Sequence, residues 1–275
     1  MIRFEVAHGA SSDPGAVREE NQDAWLSDPP VFVVADGMGG HSSGRVAADL
    51  VTQACAETDW GPWASSGAVV AASQRAFDLV GQFAAKGPGA PGSTMVGVGL
   101  ADHGERPSWL VFNVGDSRCY LLRGETLAQV SVDHSEEQQL LDQGMAREDV
   151  RQRSRPHVIT RAVGAGLRRA PEVDQWLVPA QPEDRILLCS DGLYGELSDP
   201  LITALLMAYP DPAEAAAELV GAAVRCGGRD NVTALVVDAV VVAGPGMSSG
   251  DPVDDTVEGD DLSGDTLPRR DPVIR

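Results

Sequence analysis

The sequence predicts an α+β protein in which a two-sheet core is covered by helices on its outside. Two observations carry this. Many short runs rich in valine, leucine and isoleucine read as strands. Interleaved with them are paired, longer alanine- and leucine-rich segments whose apolar residues recur at helical spacing.

Taken in order, residues 2–7 alternate imperfectly and open a strand. Residues 24–26 and 31–35 form a strand pair across the turn Ser27-Asp28-Pro29-Pro30. Ser42 or Ser43 caps a helix that runs through Val46, Leu50, Val51 and Cys55, and Trp60-Gly61-Pro62-Trp63 breaks it. A second helix covers 65–85, with Val69, Val70, Ala76, Leu79, Val80 and Phe83 on its apolar side. The Gly- and Pro-rich stretch 86–92 is a stiff loop before a strand at 94–100. Strands follow at 108–114, 118–122 and 127–130, the last two joined by the hairpin turn Arg123-Gly124-Glu125. A helix at 136–143 ends at Gly144. The stretch 145–156 is dense in arginine and acid, lacks a core pattern, and is expected to be a mobile flap. Strands at 173–178 and 185–190, helices at 201–207 and 213–224, and a strand from 232 complete the order. Beyond 242 the composition shifts to Gly, Asp, Ser and Pro. Such a stretch cannot bury enough apolar surface to offset its ordering entropy. The expected division is a folded domain over 1–242 and an acidic, disordered tail over 243–275.

Bulk properties exclude several classes. The 275 residues carry 41 acidic against 21 basic side chains, a formal net charge of -20. A field of that sign argues against nucleic acid and anionic membranes as partners, and it obliges any phosphate site to supply local cations. No apolar run approaches the ~18 residues of a membrane helix, and no secretory h-region opens the chain. Cys55, Cys119, Cys189 and Cys226 form no CxxC pair, which favours buried free thiols in a reducing compartment over disulfides or zinc. A cytoplasmic location is expected.

Five aspartates stand out: Asp23, Asp36, Asp116, Asp191 and Asp230. Asp36, Asp116 and Asp191 sit where strand-like runs give way to turns, and Asp230 just before the run 232–242. Strand ends are rigid, so carboxylates there can be aimed at one point. Converging carboxylates must share a cation or lose charge. An oxygen-only cluster suits hard divalent ions such as Mg²⁺ or Mn²⁺. Any one such aspartate alone is more often a turn-former or cap.

The motifs Asp13-Pro14-Gly15-Ala16-Val17-Arg18, Asn21-Gln22-Asp23, Asp36-Gly37-Met38-Gly39-Gly40-His41 and Gly92-Ser93-Thr94 come in that order. Gly115-Asp116-Ser117-Arg118, Asp133-His134-Ser135, Ser190-Asp191-Gly192-Leu193 and Gly228-Arg229-Asp230-Asn231-Val232-Thr233 follow. This ordered set resembles the type 2C, metal-dependent serine/threonine protein phosphatases (the PPM family), and more closely their bacterial branch. The resemblance covers nearly all of 6–242. It implies an αββα sandwich, two antiparallel sheets flanked by helices, with a binuclear Mn²⁺ or Mg²⁺ centre at one end. It further implies that Asp36 bridges both ions, the Gly37 carbonyl binds one, and Asp191 and Asp230 bind the other. Asp23 acts behind them, as do Gln22 and Asn231, and Asp116 with Asp191 holds a third, weaker ion. Arg18 binds the substrate phosphate, as a guanidinium fork suits two phosphoryl oxygens. Metals lower the pKa of a shared water, which then attacks phosphorus in line. The implied partners are phosphorylated proteins, among them a serine/threonine kinase of the same cell whose action the enzyme would oppose, and the protein is expected to be a monomer.

Two departures from the family pattern matter. The family usually has Asn-Glu-Asp where this chain has Asn21-Gln22-Asp23, so one metal is expected to bind more weakly. That change is also the feature that favours a rival reading, a phosphatase-like binding or sensor module of weak catalysis. The eukaryotic branch has a histidine two residues after the bridging aspartate, proposed as general acid. Met38 stands there, the role does not transfer to His41, and a metal-bound water is the more economical donor. His134 and His157 are expected to be structural rather than metal ligands. Arg18 could instead pair with Glu19 or Glu20. Arg147, Arg151, Arg153, Arg155 and Arg161 are either a solvated face or local positive charge for a phosphoprotein. The loop 36–40 lacks the lysine and hydroxyl residue of a P-loop.

Overall fold

A computed structural model describes residues 2–39, 43–87, 89–153 and 158–245. His41, Ser42, Arg155, His157, the side chain of Arg151 and the tail from 246 lie outside the described residues.

The chain opens with strand β1 (Arg3–Asp13), then the hairpin β2 (Asp23–Asp28) and β3 (Val31–Met38), and two long helices, α1 (Ser43–Ala56) and α2 (Ser66–Ala84). Strands β4 (Gly92–Ser93), β5 (Met95–His103), β6 (Arg106–Val114), β7 (Arg118–Arg123) and β8 (Thr126–Gln129) follow. Short helices α3 (Glu136–Asp142) and α4 (Arg147–Arg153) precede β9 (Val163–Gly164), β10 (Asp174–Pro179) and β11 (Arg185–Cys189). The chain then makes one helical turn, α5 (Asp191–Tyr194), two helices, α6 (Asp199–Ala208) and α7 (Pro212–Cys226), and the long strand β12 (Val232–Ala243).

One sheet has the order β1-β12-β11-β7-β8. The other runs β10-β6-β5-β3-β4-β9, with β2 added against β3, and neighbouring strands in both pair antiparallel. Period-two alternation sends each strand's side chains to two different cores. Val31, Val33 and Ala35 pack under α1 and α2, while Phe32 and Val34 point into the gap between the sheets. Leu187 and Cys189 pack under α6 and α7, while Ile186 and Leu188 enter the same gap. Three apolar layers separated by two sheets make the αββα sandwich. Nearly continuous apolar strands follow from burial on both faces.

The structure corrects several expectations. The first strand continues to Asp13, because β12 offers it a partner along that whole length. Asp36 lies inside β3 rather than beyond its end, paired across the ladder with Asp23. Val70 is 55% exposed: Val69, Ala72, Ala76 and Val80 form the buried stripe, and one residue on from Val69 turns about 100° away. The stretch expected to be a patternless flap holds α4, anchored by a fully buried Val150. Cys226 is exposed at the end of α7, whereas Cys55, Cys119 and Cys189 are buried, and all four are free thiols. Among the described residues no helix is long and apolar enough to cross a membrane.

Candidate metal centre

The five aspartates come together at one end of the sandwich, each delivered by a different segment. Asp23 and Asp36 face each other as cross-strand partners on β2 and β3. Asp116 sits in the turn between β6 and β7, Asp191 heads α5 after β11, and Asp230 lies two residues before β12. Directly opposed like charges destabilise a ladder. The carboxyl of Asp36 is accordingly held well above the ordinary range, first by burial and then by Asp23, Asp191, Asp116 and Asp230. Asp23 is pushed up to about 7: burial is the main cause, hydrogen bonds from Thr233 and Ser190 oppose it, and Asp191 and Asp230 add to it.

Buried hydroxyls hold this cluster in place. Asp23 Oδ2 accepts from the hydroxyls of Ser190 and Thr233, both at 2.7 Å. The chain continues outward from Thr233 Oγ1 to Ser12 Oγ at 2.7 Å and to Asn21 Nδ2 at 2.7 Å. The Asp36 N–H donates to Thr94 Oγ1 at 2.8 Å, the Thr94 N–H returns a bond to the Asp36 carbonyl at 2.9 Å, and Thr94 Oγ1 meets Ser117 Oγ at 2.7 Å. Asn231 stitches the loops together. Its Oδ1 accepts from the Gln22 N–H at 2.9 Å, its Nδ2 donates to the carbonyls of Pro14 and Glu20 at 3.0 and 2.9 Å, and its own N–H reaches Asp230 Oδ1 at 2.8 Å.

Backbones approach too closely here for side chains. A Cβ on Gly37 would lie 2.1 Å from the Gly44 carbonyl oxygen, and one on Gly44 would lie 2.5 Å from Gln22 Oε1. Gly15, at φ +81°, faces the Asp230 carbonyl at 2.3 Å in the same way.

Arg18 pairs with neither Glu19 nor Glu20. Its guanidinium donates to Asp230 Oδ2 at 2.7 Å while remaining 55% exposed, and its pKa is raised by that bond and by the charges of Asp230, Asp191 and Asp36. It is therefore the cation at the mouth of the carboxylate cluster. His134 is structural, as expected: Nδ1 accepts from the Gly115 N–H at 3.0 Å, and Nε2 lies 3.1 Å from Asp174 Oδ2. Arg161 Nη1 donates both to the carbonyl of Glu172 and to the carboxylate of Asp174. Met38 closes the end of β3 against Gly92 and supplies no proton donor.

The residues fit a hard divalent cation. The donors are all oxygen, four further carboxylates act on Asp36, and Asp23 Oδ1 is buried with no hydrogen-bond partner. Among the described residues no three carboxylate, imidazole or thiol groups close round one point. The fit rests on donor chemistry and charge rather than on a preformed cage.

Of the residues singled out in the sequence, the structure brings together the five aspartates, Arg18, Gln22, Gly37 and Asn231. The sequence alone assigned nothing to Thr94, Ser117, Ser190 or Thr233, although each lies in one of the motifs singled out.

Fold and site together define a protein phosphatase 2C domain. The chain belongs to that family, whose pattern matches residues 16–222. The serine/threonine protein phosphatase PstP of Mycobacterium tuberculosis is 34% identical over 255 residues, covering 87% of this chain and 46% of that protein. This chain thus spans about half the length of that relative. The serine/threonine phosphatase stp of Listeria welshimeri is 30% identical over 82% of this chain and 93% of its own length. Among solved structures, the catalytic domain of PstP in complex with two manganese ions superposes with a TM-score of 0.76 at 34% identity, over 87% of this chain and 100% of that one. The phosphatase MsPP of Mycobacterium smegmatis, in complex with cacodylate, gives 0.75 at 31% identity over 86% and 98%.

Proposed function

We propose that this chain hydrolyses phosphoserine and phosphothreonine in proteins at a binuclear Mn²⁺ or Mg²⁺ centre. The observation that carries the reading is Asp36 surrounded by four further carboxylates, with an arginine at their mouth, in a chain of this family. Asp36 would bridge two ions, the Gly37 carbonyl would complete one, and Asp191 and Asp230 the other. Asp116 with Asp191 would hold a third, weaker ion. When bound, such ions make a nucleophile of water near neutral pH and neutralise charge on the phosphoryl oxygens.

The rest is the work of the chain. Arg18 presents a fork to two phosphoryl oxygens from an exposed position. Asp23, held from beneath by Ser190 and Thr233, keeps its buried Oδ1 behind the inner ligands, where it would accept from water. Asn231 fixes the Arg18 loop against the Asp230 loop, and Gln22 lines their junction. The same reading makes 1–242 the catalytic domain and 243–275 a separate acidic tail. It pictures a monomer in the cytoplasm that opposes a serine/threonine kinase, and the free, buried thiols support a reducing compartment.

The test is hydrolysis of p-nitrophenyl phosphate and of a phosphothreonine peptide, titrating Mn²⁺ after EDTA stripping, with Asp191→Asn alongside. Metal-dependent turnover that the variant loses is the expected result. Folded wild-type protein without turnover at any Mn²⁺ concentration, or an Asp191→Asn variant at wild-type rates, would overturn the reading.

A further inference from the structure

The turn that carries Asp116 is fixed through its backbone on nearly every side. The Gly115 N–H donates to His134 Nδ1, and its carbonyl accepts from the His134 N–H at 2.8 Å and from Asn113 Nδ2 at 3.0 Å. Ser117 is tied to Thr94. The carbonyl of Asp116 itself accepts from farther away in sequence, from the hydroxyl of Tyr194 at 2.8 Å.

Tyr194 is the last residue of α5, the single turn that Asp191 heads. One rigid turn thus bears a carboxylate at its start. At its end it bears a phenol gripping the residue that supplies another carboxylate. The ring has little freedom, because the Arg118 guanidinium stacks on it 3.6 Å from the centroid. Arg118 in turn is locked by a fork onto Asp133, with Nη2 2.7 Å from Oδ2, and by a bond from Nη1 to the Tyr120 hydroxyl at 2.9 Å. Arg118 and Asp133, conspicuous in the sequence but without a part in the chemistry, are the foundation of this strut.

We propose that Tyr194 is a positioning residue whose hydroxyl sets the spacing of Asp116 from Asp191, and with it the affinity for the divalent cation those two carboxylates share. The inference rests on the metal reading above and deepens it. It separates this cation from those on Asp36, whose backbone is pinned by Thr94 rather than by Tyr194. Partners that orient metal ligands from behind are typically worth roughly 10- to 100-fold in metal affinity.

The test is Tyr194→Phe, which keeps the stacked ring and removes only the hydroxyl. Mn²⁺ binding to EDTA-stripped protein would be measured by calorimetry and by electron paramagnetic resonance of free Mn²⁺, with thermal unfolding in parallel. Tyr120→Phe, which removes the other phenol bonded to Arg118 without touching Asp116, is the control. In wild type a tight pair of ions and one weaker ion are expected. In Tyr194→Phe the weaker Kd should rise about 10-fold, with the tight pair unmoved, a drop in melting temperature no larger than that of Tyr120→Phe, and the Kd values of Tyr120→Phe like wild type. Equal weakening of all ions, an unchanged weak Kd, the same loss in Tyr120→Phe, or a wild type that binds only two ions would each overturn the strut. A wild type that binds no Mn²⁺ would overturn the metal reading along with it.

Discussion

Replacing Asp23 by asparagine should free the metal-free protein of a penalty that grows with pH. The native carboxyl titrates at about 7 against an ordinary 3.8, because it is buried beside other carboxylates. Its folded pKa is raised, so the native state keeps a proton that the unfolded chain gives up. Stability is therefore lost as pH climbs from the unfolded value towards the folded one, and the loss is complete above the folded value. One pKa unit corresponds to about 1.4 kcal/mol, so between pH 5 and pH 8 the wild type should lose about 3 kcal/mol that the variant does not. Asparagine can still accept from Ser190 and Thr233 through its carbonyl. Its amide would take the place of Oδ1, which has no partner, at a cost of about 1–3 kcal/mol that is independent of pH. The pH slope is thus the cleaner quantity. Urea unfolding of both proteins in EDTA at pH 5, 6, 7 and 8 measures it. Parallel curves would refute the claim that burial of this carboxylate strains the apo fold. Excess Mn²⁺ should shrink the gap, since a bound cation supplies the missing charge.

Three further outcomes follow from the geometry. Arg18→Ala should lower kcat/KM roughly 10- to 100-fold, the worth of charge-assisted bonds to phosphate, with little change in the urea midpoint because its ion pair is exposed; steady-state kinetics and unfolding check both halves. Gly37→Ala should abolish Mn²⁺-dependent turnover while circular dichroism still shows a folded protein, since its methyl meets the Gly44 carbonyl at 2.1 Å and forces β3 and α1 apart at the site. Arg185→Met should cost about 3–5 kcal/mol in urea unfolding: it strands Asp238, to which Arg185 forks with two bonds of 2.6 Å, and frees the carbonyls of Leu206, Tyr209 and Pro210.

What was legible in the sequence was what repeats locally. The run 31–35 announces a strand buried on both faces, and the two serine-led helices follow from spacing alone. The carboxylates were legible because an acid at a strand end is conspicuous. The motifs were legible because their order is specific. The hydroxyls were not, since Thr94 matters through Asp36, 58 residues away, and Thr233 through Asp23, 210 away. No local pattern distinguishes a serine that holds a carboxylate from one that caps a turn. Asp36 was read as lying past its strand because Asp and Gly ordinarily end strands; here β2 and β4 continue the ladder beyond Ala35 and override that preference. The helix α4 escaped notice because one buried valine among charged residues makes no periodic signal.

The pairing of β1 has a consequence for how the molecule is made. Among the described residues, β1 borders β12 and no other strand of its sheet, and Ser12 meets Thr233 across 221 residues. During synthesis at ~5–20 residues per second, the first strand leaves the ribosome tens of seconds before its partner exists. Throughout that interval its open edge invites other chains. The segment that finally covers it also brings Asp230 and Asn231. Closing the sheet and completing the carboxylate cluster are therefore one event, and a nascent chain cannot bring all five aspartates together before nearly all of the domain has emerged.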